Sequence, residues 1–222
     1  MKIAVIQFPG SNCDRDTVHV LREVLKLDTE LVWHNEFREN AFDAAVLPGG
    51  FSFGDHLRGG IIAARSPATK AVIEMANEGK PVLGICNGFQ ILIEAGLLPG
   101  ALLRNTSLKF VCKWMDLRIM SEKTAFTCAL KKGSKMRMPI AHNEGRFFAE
   151  EETLNRLEAE DRLVLTYAGE NPTGTSRTIA AIANEDGNVV GMMPHPERSS
   201  EPELGGTDGL KIFESMMEWA RC

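Results

Sequence analysis

Four short apolar runs in the first half of the chain are typical of buried β-strands. They span residues 2–7, 29–33, 44–47 and 82–85. The run at 82–85 is apolar throughout and is bounded by proline and glycine, which indicates a strand covered on both faces, as in a parallel sheet.

Segments with helical spacing separate these runs. The apolar positions of residues 14–26 fall on one face of a helix. Ser66 and Pro67 provide a cap and a first-position proline for a second helix. Residues 89–95 continue without a breaker to Gly96, a typical residue after a helix end. Strands that alternate with helices predict parallel β-α units, with functional loops at the carboxyl ends of the strands.

After Gly100 the pattern changes to short β segments with polar breaks. We predict these segments at residues 108–111, 114–120, 125–130, 136–140, 163–168, 179–183 and 189–193. The turn at 185–188 predicts a hairpin between the last two. Residues 150–160 indicate an acidic surface helix, and 208–221 a closing helix. Since no repeat or linker interrupts the chain, we expect residues 1–222 to form a single domain.

Composition narrows the class of protein. A chain of 222 residues that is 44% hydrophobic can build a core without disulfides or metals. A net charge of −5 without a basic stripe argues against nucleic-acid binding. No apolar run approaches membrane-spanning length, and we expect no signal peptide, because the first residues lead directly into a predicted strand. The cysteines are odd in number and far apart, which favours a reducing, cytoplasmic location over a disulfide framework or zinc site. They are Cys13, Cys86, Cys112, Cys128 and Cys222.

The strongest chemical signal lies between the strand at 82–85 and the helix after it. Gly84, Cys86 and Gly88 form the pattern G-x-C-x-G, the thiol counterpart of the nucleophile elbow. Glycines on both sides let the strand and helix backbones approach each other, and the helix N-terminus favours a thiolate. Most cysteines are nevertheless small buried hydrophobes, so a catalytic role needs support from elsewhere in the chain.

A cysteine nucleophile needs a base, and the base needs an orienting group. His195 directly follows the predicted strand at 189–193, so we expect it at the same sheet edge as Cys86. Glu197 could fix the imidazole tautomer, because Pro196 is expected to keep the backbone extended and the two side chains on one side. The alternative is that His-Pro-Glu is an ordinary turn.

An acyl-transfer site also needs donors for an oxyanion. The backbone N–H of Asn87, directly after the nucleophile, supplies one donor in an elbow. The loop at residues 49–51 could supply the other from Gly50. The alternative interpretation of the Gly49-Gly50 pair is a tight turn at a strand end.

Three motifs together resemble those of class I glutamine amidotransferases. They are Pro48-Gly49-Gly50, Gly84-x-Cys86-x-Gly88-x-Gln90 and His195-x-Glu197. Longer matches, spread over nearly the whole chain, are similar to the family of glutaminase subunits of phosphoribosylformylglycinamidine synthase. These matches cover residues 8–16, 49–55, 86–90, 142–146 and 193–198. Asn143, where glycine is expected, and Phe53, where tyrosine is common, depart from the family pattern.

The resemblance implies a flavodoxin-like three-layer α/β sandwich, with a central mostly parallel sheet and an added antiparallel β segment. It also implies that Cys86 attacks the side-chain amide of glutamine. His195, held by Glu197, carries the proton to the leaving ammonia, and water then hydrolyses the γ-glutamyl thioester. The residues expected to bind glutamine are Gln90, Asn143, Glu144 and Gly145. No metal or cofactor is expected in this chain, and the resemblance leaves the roles of His142 and Arg146 open.

The family resemblance also implies partners. Ammonia would pass to a separate synthetase subunit, in a complex with a small third subunit. That synthetase would use ATP and magnesium to convert formylglycinamide ribonucleotide to formylglycinamidine ribonucleotide in de novo purine biosynthesis. This chain itself has no G-x-x-x-x-G-K-[ST] phosphate loop.

Two alternatives stay open at the level of the sequence. The first is a DJ-1-like or intracellular-peptidase-like cysteine hydrolase, which shares the elbow but does not typically use a C-terminal His-x-Glu. The second is a non-catalytic regulatory subunit on the same fold. Loss of the nucleophile or the base would mark that second state, and Cys86, His195 and Glu197 are all present.

Overall fold

A computed structural model describes the fold of residues 1–219. Its main feature is a nine-stranded sheet, accompanied by a small two-stranded sheet. The strands are β1 Lys2–Gln7, β2 Asp28–Trp33, β3 Ala44–Leu47, β4 Val82–Ile85, β5 Ala101–Leu103, β6 Val111–Ile119, β7 Lys135–His142, β8 Arg146–Phe148, β9 Leu163–Tyr167, β10 Ile179–Ala183 and β11 Val189–Met192. The α-helices are α1 Asp14–His19, α2 Pro67–Asn77, α3 Asn87–Glu94, α4 Glu151–Ala159 and α5 Leu210–Glu218.

The main sheet joins a parallel half to an antiparallel half. Its order is β2-β1-β3-β4-β11-β10-β9-β6-β7. The first five strands pair in parallel, in the flavodoxin-like order, and the remaining pairs are antiparallel. This arrangement confirms the predicted α/β fold with its added antiparallel segment, including the hairpin of β10 and β11.

The parallel half brings four loops to one edge of the sheet. Because β1, β3, β4 and β11 run in the same direction, the segments after them meet at their carboxyl ends. Those segments contain Gly10, Gly49, Cys86 and His195. All four residues of β3 and of β4 are buried, as their apolar runs predict.

The helix boundaries follow local capping chemistry. Ser66 caps α2 by accepting a hydrogen bond from the backbone N–H of Thr69 at 3.2 Å, and Pro67 is the first residue of the helix. Gly96 follows α3 with φ +79°, a conformation that favours glycine. The predicted helix at 14–26 is present, but it changes from α1 to a π-helical segment over Val20–Val24.

Two predicted β segments are wrong. Residues 125–130 form turns, because the Thr124 side chain bonds the N–H of Phe126 and the hydroxyl of Thr127 and so competes with strand pairing. Residues 108–110 form no strand either, since Leu108 turns the chain with φ +55° and donates to the carbonyl of Asn105.

Other differences concern short elements and the chain end. The three-residue strands β5 and β8 carry too little pattern to be predicted, and the structure reveals their pairing. Helix α5 begins at Leu210 rather than 208, and the part of its prediction beyond residue 219, like Cys222, lies outside the described residues. Within residues 1–219, no helix combines the length and the apolar character needed to cross a membrane.

Candidate active site

Cys86 lies on a strained turn between β4 and α3. Its backbone has φ 50° and ψ −102°, which is unfavourable for a residue with a side chain. A side chain at Gly88 would collide with the carbonyl oxygen of Leu47, and a Cβ at Gly84 would lie 2.7 Å from the backbone carbon of Gly88. Both glycines are therefore needed for the close approach of β3, β4 and α3, as the elbow pattern predicts.

His195 and Glu197 form a buried pair at the same edge of the sheet. The Nδ1 of His195 donates to the Oε1 of Glu197 at 2.5 Å, and both side chains are almost fully buried. The backbone N–H of His195 donates to the carbonyl of Pro139 at 2.9 Å, which ties the base to β7. The structure therefore brings together the proposed base and its orienting carboxylate.

The backbone between these two residues differs from the prediction. Pro196 begins a 3-10 turn over Pro196–Arg198, closed by a bond from the N–H of Arg198 to the carbonyl of His195 at 3.3 Å. The expectation of an extended Pro196 is wrong, because proline also fits the first position of a helical turn. The turn, rather than a strand, places both side chains on one side.

The electrostatic environment favours a charged imidazole. Burial lowers the pKa of His195, but this effect is outweighed. The negative charge of Glu197 raises the pKa, and so do hydrogen bonds of the ring with Cys13, Cys86 and Glu197. The pKa of His195 is therefore held well above its ordinary value. Within residues 1–219 the Nε2 atom has no partner in full hydrogen-bond geometry, so this atom is free for a proton transfer.

Cys13 is a second buried thiol beside the pair, and the sequence analysis did not assign it to the site. Cys13, Cys86 and His195 line one cavity of about 160 Å³. The Sγ of Cys13 lies 3.2 Å from the Oδ1 of Asn12 and 3.5 Å from the Nη2 of Arg198.

One cluster of described residues has the spacing of metal ligands. The ligand atoms of Cys13, His195 and Glu197 lie within 4.8 Å of one another. The carboxylate already holds the imidazole through the Nδ1–Oε1 contact. The guanidinium of Arg198 at 3.5 Å from the Sγ of Cys13 also disfavours a cation there. The donor set therefore suits proton transfer better than metal binding.

The two predicted oxyanion donors lie beside the nucleophile. In the described part of the chain, the N–H groups of Gly50 and Asn87 have no hydrogen-bond acceptor. Gly50 lines the same cavities as Cys86, and Asn87 directly follows the nucleophile. A Cβ at Gly50, where φ is +152°, would lie 2.7 Å from the Cα of Ser11. No larger residue fits this position without moving the loop.

A cavity of about 280 Å³ opens next to the nucleophile. Its lining residues are Gly50, Phe51, Asp55, Cys86, Gln90, Arg104, Ala141, His142, Asn143 and Glu144. Three of the four residues predicted to bind glutamine are therefore on its wall. Gly145 is the exception. It packs against the ring of His142, where a side chain would collide, and its N–H donates to the Oδ1 of Asn105 at 3.1 Å.

Side-chain amides join the walls of this cavity. The Oδ1 of Asn87 accepts from the N–H of Ser52 at 3.1 Å, and its Nδ2 donates to the Oε1 of Gln90 at 2.8 Å. The Nε2 of Gln90 donates in turn to the carbonyl of Glu144 at 2.8 Å. The start of α3 thus connects the glycine-rich loop to the segment after β7.

Asn105 holds that segment from behind. Its Nδ2 donates to the carbonyls of Lys109 at 3.0 Å and His142 at 2.9 Å, and it is fully buried. Arg146 begins β8 and does not line the cavity. Asn105 escaped the sequence analysis because two of its partners, His142 and Gly145, are about 40 residues away and no local pattern marks such a contact.

Comparisons with known proteins identify the family of this chain. The model of the CobB/CobQ-like glutamine amidotransferase domain matches residues 1–220. The phosphoribosylformylglycinamidine synthase subunit PurQ of Methanosarcina acetivorans is 52% identical over 227 residues, which cover 99% of this chain and 98% of that protein. The PurQ subunit of Aquifex aeolicus is 51% identical, with 98% and 99% covered.

A solved structure is also similar over the full length of this chain. A chain in the structure of PurLQS from Thermotoga maritima matches with a TM-score of 0.91 at 44% identity, covering 99% of this chain and 98% of that one. Similarity at this level over the full length supports neither the cysteine hydrolase nor the regulatory alternative. The chain belongs to the PurQ family of glutamine amidotransferases.

Proposed function

We propose that this chain hydrolyses glutamine to glutamate and ammonia through a thioester on Cys86, as the glutaminase subunit of phosphoribosylformylglycinamidine synthase. The observation that carries the proposal is the meeting, in one cavity, of Cys86 with the buried pair His195 and Glu197. Full-length similarity to PurQ subunits supports the choice of reaction.

The first half of the reaction forms the thioester. The thiolate of Cys86 attacks the amide carbon of glutamine, and the N–H groups of Gly50 and Asn87 stabilise the oxyanion that develops. The imidazolium of His195 gives its proton from Nε2 to the leaving nitrogen. The carbon–nitrogen bond then breaks, ammonia departs and the γ-glutamyl thioester remains.

The second half regenerates the enzyme. The now neutral His195 removes a proton from water, which attacks the thioester carbon through a second oxyanion. The carbon–sulfur bond breaks, glutamate leaves and the thiolate returns beside the imidazolium. Glu197 stays ionised throughout, because its task is to hold the ring and favour its charged form.

The ammonia is used by a separate synthetase subunit, which converts formylglycinamide ribonucleotide to formylglycinamidine ribonucleotide in purine biosynthesis. The support is the match to a chain of PurLQS. We extend the proposal to a small third subunit, and we assign ATP and magnesium to the partner because glutamine hydrolysis by a thiol needs neither. The free Cys86 thiol requires a reducing compartment, which favours the cytoplasm.

The test is a Cys86→Ala variant in the complex reconstituted with synthetase subunits. Synthesis from glutamine should be abolished, and synthesis from added ammonium salt should stay at the wild-type level. Cys112→Ala is the matched control, because Cys112 is exposed and lies outside the cavity, and it should leave both activities unchanged. Glutamine-dependent synthesis by Cys86→Ala would overturn the proposal.

A further inference from the structure

The larger cavity carries charged groups that the proposed mechanism does not use. The carboxylates of Asp55 and Glu144 and the guanidinium of Arg104 line the same 280 Å³ space as Cys86. Glutamine is a zwitterion, so one end of it must present an ammonium and a carboxylate to these walls. The question is which groups receive them.

Asp55 is held in place at a cost in backbone conformation. Phe53, Gly54 and Asp55 have φ values of 53°, 70° and 52°, which is unfavourable for the two residues with side chains. The Oδ1 of Asp55 accepts from the Nδ2 of Asn87 at 3.3 Å, so the carboxylate is fixed to the start of α3. A strained loop anchored in this way is typical of a functional position.

Glu144 is fixed against the same loop. Its Oε2 accepts from the N–H of Gly59 at 3.1 Å, and its backbone carbonyl accepts from Gln90. Its Oε1 lies 3.9 Å from the Nε of Arg104. The Arg104 side chain is 70% exposed, so water screens its positive charge and weakens its attraction to the carboxylates of Asp55 and Glu144.

The two carboxylates leave an unbalanced negative charge in the cavity. Burial and the charge of Glu144 raise the pKa of Asp55 to about 6, which shows that nearby cations do not fully compensate it. His142 does not neutralise it either, since burial and His195 lower the pKa of His142 to about 3. Both ring nitrogens of His142 are buried without a hydrogen-bond partner in the described chain. Because His142 lines the cavity, these nitrogens are available to a polar ligand.

We propose that Asp55 and Glu144 bind the α-ammonium group of glutamine and that Arg104 binds its α-carboxylate. The proposal rests on the proposed function, because it assigns the other end of the same substrate. Its consequence is selectivity: the site accepts a free α-amino acid amide and discriminates against amides that lack either charged group. Asp55 and Arg104 are then determinants of specificity.

The test compares three amides in the reconstituted complex, with ammonia release as the readout. Glutamine carries both charges, 4-carbamoylbutanoate lacks the amino group and 4-aminobutanamide lacks the carboxylate. Asp55→Asn should raise the KM for glutamine on the order of 10- to 100-fold with little change in kcat. Its kcat/KM for 4-carbamoylbutanoate should match the wild type. Arg104→Gln should behave in the same way towards 4-aminobutanamide.

His56→Asn is the matched control, because His56 is exposed in the same loop and does not line the cavity. It should leave all three substrates unaffected. If Asp55→Asn lowers kcat/KM equally for glutamine and 4-carbamoylbutanoate, Asp55 only supports the loop and the inference is wrong. A wild-type complex that releases no ammonia from glutamine would instead overturn the proposed function, and the inference with it.

Discussion

The two walls of the active-site cavity differ in construction. One wall consists of Cys86 and His195, with Glu197 bonded behind the imidazole, and all three are buried at the carboxyl ends of the parallel strands. The other is the loop of residues 50–60, much of it exposed and rich in positive φ values. The comparison indicates that the reacting groups and the Asn87 donor are on rigid elements, whereas the Gly50 donor is on a loop that can move.

The rigid wall is held from several directions. Cys86 donates its backbone N–H to the carbonyl of Met192 at 2.7 Å, and His195 donates to Pro139. A Cβ at Gly49 would lie 2.8 Å from the Cε1 of His195, so β3 also confines the ring. Removing a group from this wall should affect the chemical step directly.

The adjustable wall is bonded at several points, but part of it is exposed. It bonds to the Gly10 loop through the N–H groups of Phe51 and Phe53, to α3 through Ser52 and Asp55, and to Glu144 through Gly59. Leu57 is 92% exposed with φ +73°, so this part of the loop buries little that would hold its strained conformation. A partner protein could therefore reposition this wall at a small free-energy cost.

The largest expected effect among variants of the base and its neighbours is at His195. His195→Ala removes the proton carrier and should lower kcat for glutamine by about 10²- to 10⁴-fold. Glu197→Gln keeps the shape and the tautomer contact but removes the charge, so its loss should be smaller. Ammonium-dependent synthesis is the internal control. A folded His195→Ala enzyme with the wild-type rate would refute the role of the base.

The adjustable wall is tested by a pair of glycine variants. Gly50→Ala places a Cβ against the backbone of Ser11 and Asn12, so it should displace the oxyanion donor and lower kcat by about 10²- to 10³-fold. Gly54→Ala also has a positive φ, but nothing lies within 4 Å of its Cβ. Gly54→Ala is therefore the control: it should lower the free energy of unfolding by only about 1 kcal/mol and leave kcat near the wild-type value. Equal kinetic losses would contradict a special role for Gly50.

Activation by the synthetase subunits tests the same difference between the rigid and the adjustable wall. We predict weak glutamine hydrolysis by the isolated chain, because the loop at Gly50 can place its donor in or out of the site. Adding the synthetase subunits with their ligands should raise kcat by on the order of 10²-fold, the effect of aligning one oxyanion donor. An isolated chain that already hydrolyses glutamine at the full rate of the complex would contradict this gating. The roles assigned to Cys86, His195 and Glu197 would still stand.

The smallest expected effect is on pH dependence. Asp55 has a pKa of about 6, and only its ionised form attracts an ammonium group. The KM for glutamine should therefore rise up to about tenfold as the pH falls from 7 to 5, and Asp55→Asn should remove this rise. His142, which lines the same cavity, has a pKa of about 3 and stays neutral over this range. An unchanged profile in Asp55→Asn would show that another group titrates.

The sequence predicted the rigid wall better than the adjustable one. Cys86 and His195 each follow a clearly patterned strand, and parallel strands bring their carboxyl ends together by topology alone. Cys13, Asp55 and Arg104 became recognisable only when loops distant in sequence met around one cavity. The strand predicted at residues 125–130 was wrong because the Thr124 side chain forms local hydrogen bonds, which the hydrophobic pattern of a sequence does not indicate.

The most direct test of the central claim is to identify the labelled thiol. A glutamine analogue with an electrophilic carbon in place of the amide, such as a diazoketone, should alkylate Cys86 and abolish glutaminase activity. Cys13 is the critical comparison, because it is also buried and lies in the same cavity. Peptide mapping by mass spectrometry should find the adduct on Cys86, with Cys13 unmodified. An adduct mainly on Cys13, formed in step with inactivation, would contradict the account.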